Sequence, residues 1–125
     1  MERQWPDGAR CVVLMTVDTD ATGNEVGRGI DPAGVNSLGG YSTRRGIPRL
    51  LEIFARQGIP ATFFCTGYDA EQSPETIRAI IAAGQEVAAH GYLHESWDVS
   101  LEEEEMLLRK THAILTELAG RAPLN

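Results

Sequence analysis

Two short runs hold residue types able to do chemistry together: Asp18-Thr19-Asp20 and His90-Gly91-Tyr92-Leu93-His94. On a helical turn, an H-x3-H spacing brings two imidazoles to one face, ~5–6 Å apart at Cβ. Two imidazoles and one carboxylate suit a catalytic divalent ion that keeps positions open for water and substrate. A second carboxylate beside the ion could serve as general base toward that water. Neither run is specific alone, because acidic loops are usually just solvated and surface histidine pairs are common. Their shared placement makes them a candidate site: each follows the carboxyl end of an apolar, strand-like run, so a parallel sheet would converge them on one edge.

The elements that must position them read as three strand-then-helix units. Strand one is predicted over Cys11-Val12-Val13-Leu14-Met15-Thr16-Val17, nearly all apolar, as in a strand buried on both faces. Strand two is predicted over Ala61 to Thr66 and strand three over Glu86 to Ala89. Between them, Ile47, Leu50, Leu51 and Phe54 recur at helical spacing and Gly58 stops the helix. Ser73-Pro74 caps a second helix carrying Ile77, Ile80 and Ile81, which Gly84 ends. Ser100 and Glu103 form a capping box for a third, with Leu101, Leu108 and Leu115 on one face and Gly120 at its end. Glu102 to Glu105 suit the positive end of that helix dipole. The fold expected is α/β with three parallel βα units. Residues 21 to 42 resist the pattern, with six glycines and no periodicity; so long a loop is usually functional or mobile.

Composition narrows the partners. At 125 residues the chain is a single domain, 1–125, too short for a complete eight-fold α/β barrel of ~250 residues. Eleven basic against eighteen acidic residues give a net charge of −7, which disfavours nucleic acid and anionic membrane as main partners. No stretch approaches the ~20 apolar residues of a membrane span. The five-residue run Cys11 to Met15 follows Arg3, Asp7 and Arg10, unlike a secretory leader. Two cysteines fit a reduced compartment, so a cytoplasmic setting is expected. Cys11 at the start of strand one and Cys65 at the end of strand two would lie ~15 Å apart, beyond disulfide reach, as inert core thiols.

Three runs in order carry a resemblance: Thr16-Val17-Asp18-Thr19-Asp20, then Ala61-Thr62-Phe63-Phe64-Cys65-Thr66-Gly67, then His90-Gly91-Tyr92-Leu93-His94-Glu95. Together with Tyr41 to Leu51, which includes Arg44, Arg45, Gly46 and Pro48, the chain resembles the NodB-type polysaccharide deacetylase superfamily (carbohydrate esterase family 4). Within it, the likeness is to the branch of peptidoglycan-deacetylase-like proteins and allantoinases. The resemblance runs from about residue 10 to the last residue and implies the first half of a deformed barrel. It implies Asp18 as general base and Asp20, His90 and His94 as ligands of a divalent metal, typically zinc, with cobalt or nickel as alternatives. The reaction implied is metal-dependent hydrolysis of a C–N bond in an N-acetylated sugar or small amide. Allantoinases of this branch usually lack the metal ligands, so Asp20, His90 and His94 favour the metal-dependent side. The run Gly120-Arg121-Ala122-Pro123-Leu124-Asn125 looks like the approach to a later arginine-proline motif. No general acid is found in the chain.

The remaining candidates have simpler readings. His112 shares a helix face with Leu108 and Leu115 and is expected at the core boundary. Trp5, Trp97, Tyr68 and Tyr92 are expected to pack, with Tyr92 also a possible substrate-lining residue. Arg44 and Arg45 are expected to be solvated or ion-paired, Arg44 being a second possible substrate contact. An allantoinase-like ureide hydrolase and a non-catalytic metal-binding fragment are the rival functions. Three parallel strands leave unpaired edges, so self-association into a homo-oligomer, or else pronounced mobility, is expected.

Overall fold

β-Branched and aromatic residues make Thr62–Cys65 (β2) the centre of a three-stranded parallel sheet. It lies between Thr16–Thr19 (β1) and Glu86–Ala89 (β3). The structure is a computed structural model and describes residues 5–96 and 98–123. The strands are in step: Thr19 is level with Cys65, and Cys65 with Ala89. Gly23–Gly27 (α1), Gly39–Tyr41 (α2), a π-turn at Ser42–Gly46 and Ile47–Gln57 (α3) carry the chain from β1 to β2. Gly67–Gln72 (α4) and Pro74–Ala82 (α5) carry it on to β3, and Leu101–Ala119 (α6) follows. The fold is α/β, as expected.

The helical spacing is realised in the core. Ile47, Leu51 and Phe54 are the buried face of α3, and the Phe54 ring meets Phe63 of β2 edge-on at 6.2 Å. From the other helices, Ile77 and Ile80 of α5 and Leu115 of α6 complete the cluster around Phe63. Gly58 ends α3 at φ 62°, and Gly120 ends α6 at φ 68°. The Ser100 hydroxyl accepts the Glu103 N–H at 3.2 Å, the forward half of the expected capping box. Pro74 opens α5, but Ser73 caps it through its carbonyl, which accepts the Thr76 N–H at 2.9 Å.

Several expectations are corrected. β1 starts at Thr16, and residues 11–15 are not strand. The reason is the neighbour: β2 starts only at Thr62, whose N–H reaches back to the Met15 carbonyl at 3.1 Å, and Pro60 upstream has no N–H to give. Val13 and Leu14 are therefore 79% and 83% exposed, not buried on both faces. Cys11 is exposed, while Cys65 is buried, so only Cys65 is a core thiol; neither is in a disulfide. On α6 only Thr111 and Leu115 are buried, leaving Leu101 and Leu108 exposed, because only the later turns of the helix lie over the sheet. His112 is exposed too, although it lies between Thr111 and Leu115, because it falls on another face of the helix. Trp5 is also largely exposed, and Trp97 lies outside the described residues. Residues 21 to 42 hold the short helices α1 and α2 and a 3-10 turn at Gly34–Asn36.

Candidate metal centre

In-register strands deliver Asp20, Thr66 and His90 to one level, each the first residue past the last paired row of Thr19, Cys65 and Ala89. The His90 N–H still bonds the Cys65 carbonyl at 2.9 Å, so its backbone is held by the sheet's last rung. Beyond it the chain turns sharply. Gly91 sits at φ 68° and His94 at φ 57°, conformations that no right-handed helix contains. The expected helical turn is thus a loop, and the loop achieves the pairing: the two imidazole centroids lie 4.9 Å apart. Glu95 holds it shut, its carboxylate accepting the Tyr92 N–H at 3.0 Å and the Leu93 N–H at 2.7 Å. A Cβ on Gly91 would come within 2.5 Å of Glu95 Oε2, so a side chain there would meet the φ strain and also have to push the Glu95 carboxylate aside.

One ligand atom from each of Asp20, His90 and His94 lies within 4.8 Å of the others. Asp20 Oδ1 is 3.3 Å from His90 Nε2, both side chains being about three-quarters covered. That oxygen is buried and accepts no hydrogen bond from the described residues. An orphaned carboxylate oxygen costs free energy unless something else satisfies it. Two imidazole nitrogens and one such oxygen at this spacing fit a divalent ion. Asp18 stands on β1, exposed and outside the group of three. Tyr92 belongs to the histidine loop, but its hydroxyl donates to Glu71 Oε2 at 2.6 Å, and Lys110 Nζ lies 3.6 Å above its ring. The Glu71 carboxylate raises the pKa of that phenol. Arg44 is exposed in the π-turn, where Arg44, Arg45, Arg49 and Arg56 border an open basic groove away from the histidines. His90, His94 and Glu95 instead line a cavity of about 280 Å³ shared with Val99, Leu107 and Leu108.

Residues 36–124 match the family model for polysaccharide deacetylase. The chain belongs to the polysaccharide deacetylase family. A peptidoglycan deacetylase of Helicobacter pylori is 37% identical over 115 residues, covering 90% of this chain and 39% of that protein. Among solved structures, a Mycobacterium smegmatis protein described as a polysaccharide deacetylase superposes with a TM-score of 0.87 at 42% identity, over 97% of this chain and 44% of that one. Puue allantoinase superposes with a TM-score of 0.84 at 28% identity, over 96% of this chain and 47% of its own. The chain therefore spans less than half the length of these relatives, and its three βα units correspond to part of a deacetylase barrel.

In this member of the polysaccharide deacetylase family, β2 places no ligand at the cluster, yet the residues after it hold the other two loops. The Gly67 and Tyr68 N–H groups bond the Gly91 and Tyr92 carbonyls at 3.0 and 2.9 Å, and the Thr111 hydroxyl bonds the Gly91 carbonyl at 3.1 Å. On the other side the Asp69 carboxylate accepts the N–H groups of Thr22 and Gly23, just beyond Asp20. The sequence reading missed this arrangement, ending strand two at Thr66 without a helix behind it. Its signal was present in Thr66-x-x-Asp69: Thr66 caps α4 by accepting the Asp69 N–H at 3.2 Å. Burial pushes the Asp69 carboxyl above its ordinary range, against the pull of the bonds from Thr66, Gly23 and Thr22.

Proposed function

We propose that this chain carries the ligand and base residues of a metal-dependent amide hydrolase of the deacetylase type, acting on an N-acetylated sugar or a small amide. The observation that carries this reading is the convergence of Asp20, His90 and His94, with Asp20 Oδ1 accepting no hydrogen bond from the described residues. These three residues would hold the ion, zinc first, with cobalt or nickel as alternatives. A bound divalent ion would supply Lewis acidity toward the amide carbonyl and lower the pKa of a nearby water. Asp18 would take the proton of the attacking water as general base. Hydrolysis breaks the C–N bond, leaving acetate and a free amine, and the amine must gain a proton from a group this reading does not assign. Tyr92 and Arg44 are proposed to line the substrate. The peptidoglycan deacetylase name of the Helicobacter pylori relative supports the sugar substrate.

The likeness to Puue allantoinase supports a second reading, ureide hydrolysis, and a non-catalytic metal-binding role is the third. Elemental analysis of the purified chain, with acetate release from N-acetylglucosamine oligomers and hydrolysis of allantoin assayed in parallel, separates the three. Zinc with acetate release supports the first. Allantoin turnover supports the second, and zinc with neither activity the third. No helix of the described residues is long and apolar enough to cross a membrane. A cytoplasmic setting and a homo-oligomer that covers the open edge of β1 belong to the same proposal.

A further inference from the structure

Asp69 donates no atom to the metal cluster and is only 6% exposed, yet its carboxylate reaches the backbone behind Asp20 as well as the neighbouring Thr66. Oδ1 accepts the Thr22 N–H at 3.1 Å, the Thr22 hydroxyl at 3.3 Å and the Gly23 N–H at 3.0 Å. Oδ2 accepts the Thr66 hydroxyl at 2.7 Å and a share of the Gly23 N–H at 3.2 Å. Each side-chain bond converges donors on a group that, ionised, is an acceptor only. An asparagine of the same shape would turn an NH2 toward one set of those donors. The approach is close enough to dictate a neighbour: a Cβ on Gly23 would lie 2.7 Å from Asp69 Oδ2. Burying a carboxylate is costly, and a packed apolar residue would hold the core at least as well. The arrangement is explained by what it fixes. It ties the exit of β1 to that of β2, and Thr22 is two residues from the one carboxylate ligand.

We propose that Asp69 is a positioning residue that acts through Asp20 to set the affinity of the site for its divalent ion. This rests on the metal-site reading above. Partners behind ligands usually tune affinity ~10–100-fold. Asp69 would do so at one remove, by holding the peptides at Thr22 and Gly23 so that Asp20 Oδ1 stays facing His90.

The test is a double-mutant cycle on the whole chain, with zinc binding as the readout and melting temperature recorded for each variant. Asp69→Asn is expected to weaken zinc binding ~10–100-fold. In an Asp20→Asn background the same change is expected to alter the remaining affinity by no more than about twofold, since the ligand it acts through is gone. Should Asp69→Asn fail to fold, Thr66→Val removes the 2.7 Å hydroxyl donor, and Thr66→Ser is expected to restore affinity. Equal losses in both backgrounds, or undiminished affinity in Asp69→Asn, overturn the proposal while leaving the metal site standing. A wild-type chain that binds no zinc overturns both.

Discussion

Asp20 Oδ1 faces His90 Nε2 at 3.3 Å and accepts no hydrogen bond from any described residue. Asp20 comes from the loop after β1 and His90 from the loop after β3, so the pair spans the full width of the sheet. Titration of the chain with zinc is expected to show about one ion bound. His90→Ala with His94→Ala should abolish binding, and Asp20→Asn should cost more than the ~10–100-fold typical of changes behind the ligands. A chelator should lower the melting temperature, and an unchanged melt with no metal in the protein would count against the site.

Asp18 and Asp20 are neighbours with different surroundings: Asp18 is exposed, and Asp20 is three-quarters covered. Asp18→Asn is expected to leave zinc affinity nearly intact and to lower turnover by roughly 10²–10⁴-fold. The rate is read in a form of the protein that turns over, the affinity in this chain. Matching losses of affinity in Asp18→Asn and Asp20→Asn would reverse the assignment of base and ligand.

The two thiols should behave as opposites. Cys11 is exposed, while burial pushes the Cys65 thiol up to about 12. One equivalent of a thiol reagent is expected to react quickly with native protein and a second only on unfolding. The raised pKa also gives a sign to alkaline stability. The unfolded thiol loses its proton near its ordinary value of 9.0 and the folded one only near 12, so stability is full below pH 9.0 and falls as pH rises through that window. The slope is at most about 1.4 kcal/mol per pH unit. Urea midpoints on either side of pH 9 should show it, and Cys65→Ala should flatten it.

Gly91 and Gly58 both have positive φ, 68° and 62°, but only Gly91 has a neighbour in the way. Gly91→Ala is expected to cost the upper part of a ~1–3 kcal/mol strain range and to displace Glu95, while Gly58→Ala costs the lower part. Thermal melts rank them, and zinc affinity should fall for Gly91→Ala alone.

Val13 and Leu14 stand exposed just before β1, an edge strand of the sheet. If a second copy covers them, Leu14→Lys should shift the chain toward monomer in sedimentation at high concentration. A wild-type monomer under those conditions would remove the proposed homo-oligomer.

What the sequence disclosed follows from which forces are local. The apolar spacing at Ile47, Leu51 and Phe54 and the stop at Gly58 report a helix because one turn decides them. β2 and β3 were legible within a residue or so for the same reason. The start of β1 was not, since it depends on where the partner strand begins, and five apolar residues without a partner make no strand. The three metal-site residues were legible from type and order. The shape of the loop joining the histidines was not, because it hangs on the φ of Gly91 and His94 and on the reach of Glu95. Asp69 was missed because its meaning lies in Thr22 and Gly23, 47 and 46 residues away.

The level row of Thr19, Cys65 and Ala89 bears on how such a chain can diversify. A residue inserted within β1 or β3 would move Asp20 or His90 off the common level and flip its face, so strand length is closed to change. The segment from residue 28 to 38 leaves after the Asp69 clamp and rejoins where Gly39 lies against the Ala21 carbonyl, too close for any side chain. Between those two anchor points neither the level row nor the Asp69 clamp constrains length or composition. A lineage, or an engineer, could rewrite that stretch to suit a new substrate while Asp20, His90 and His94 kept their spacing.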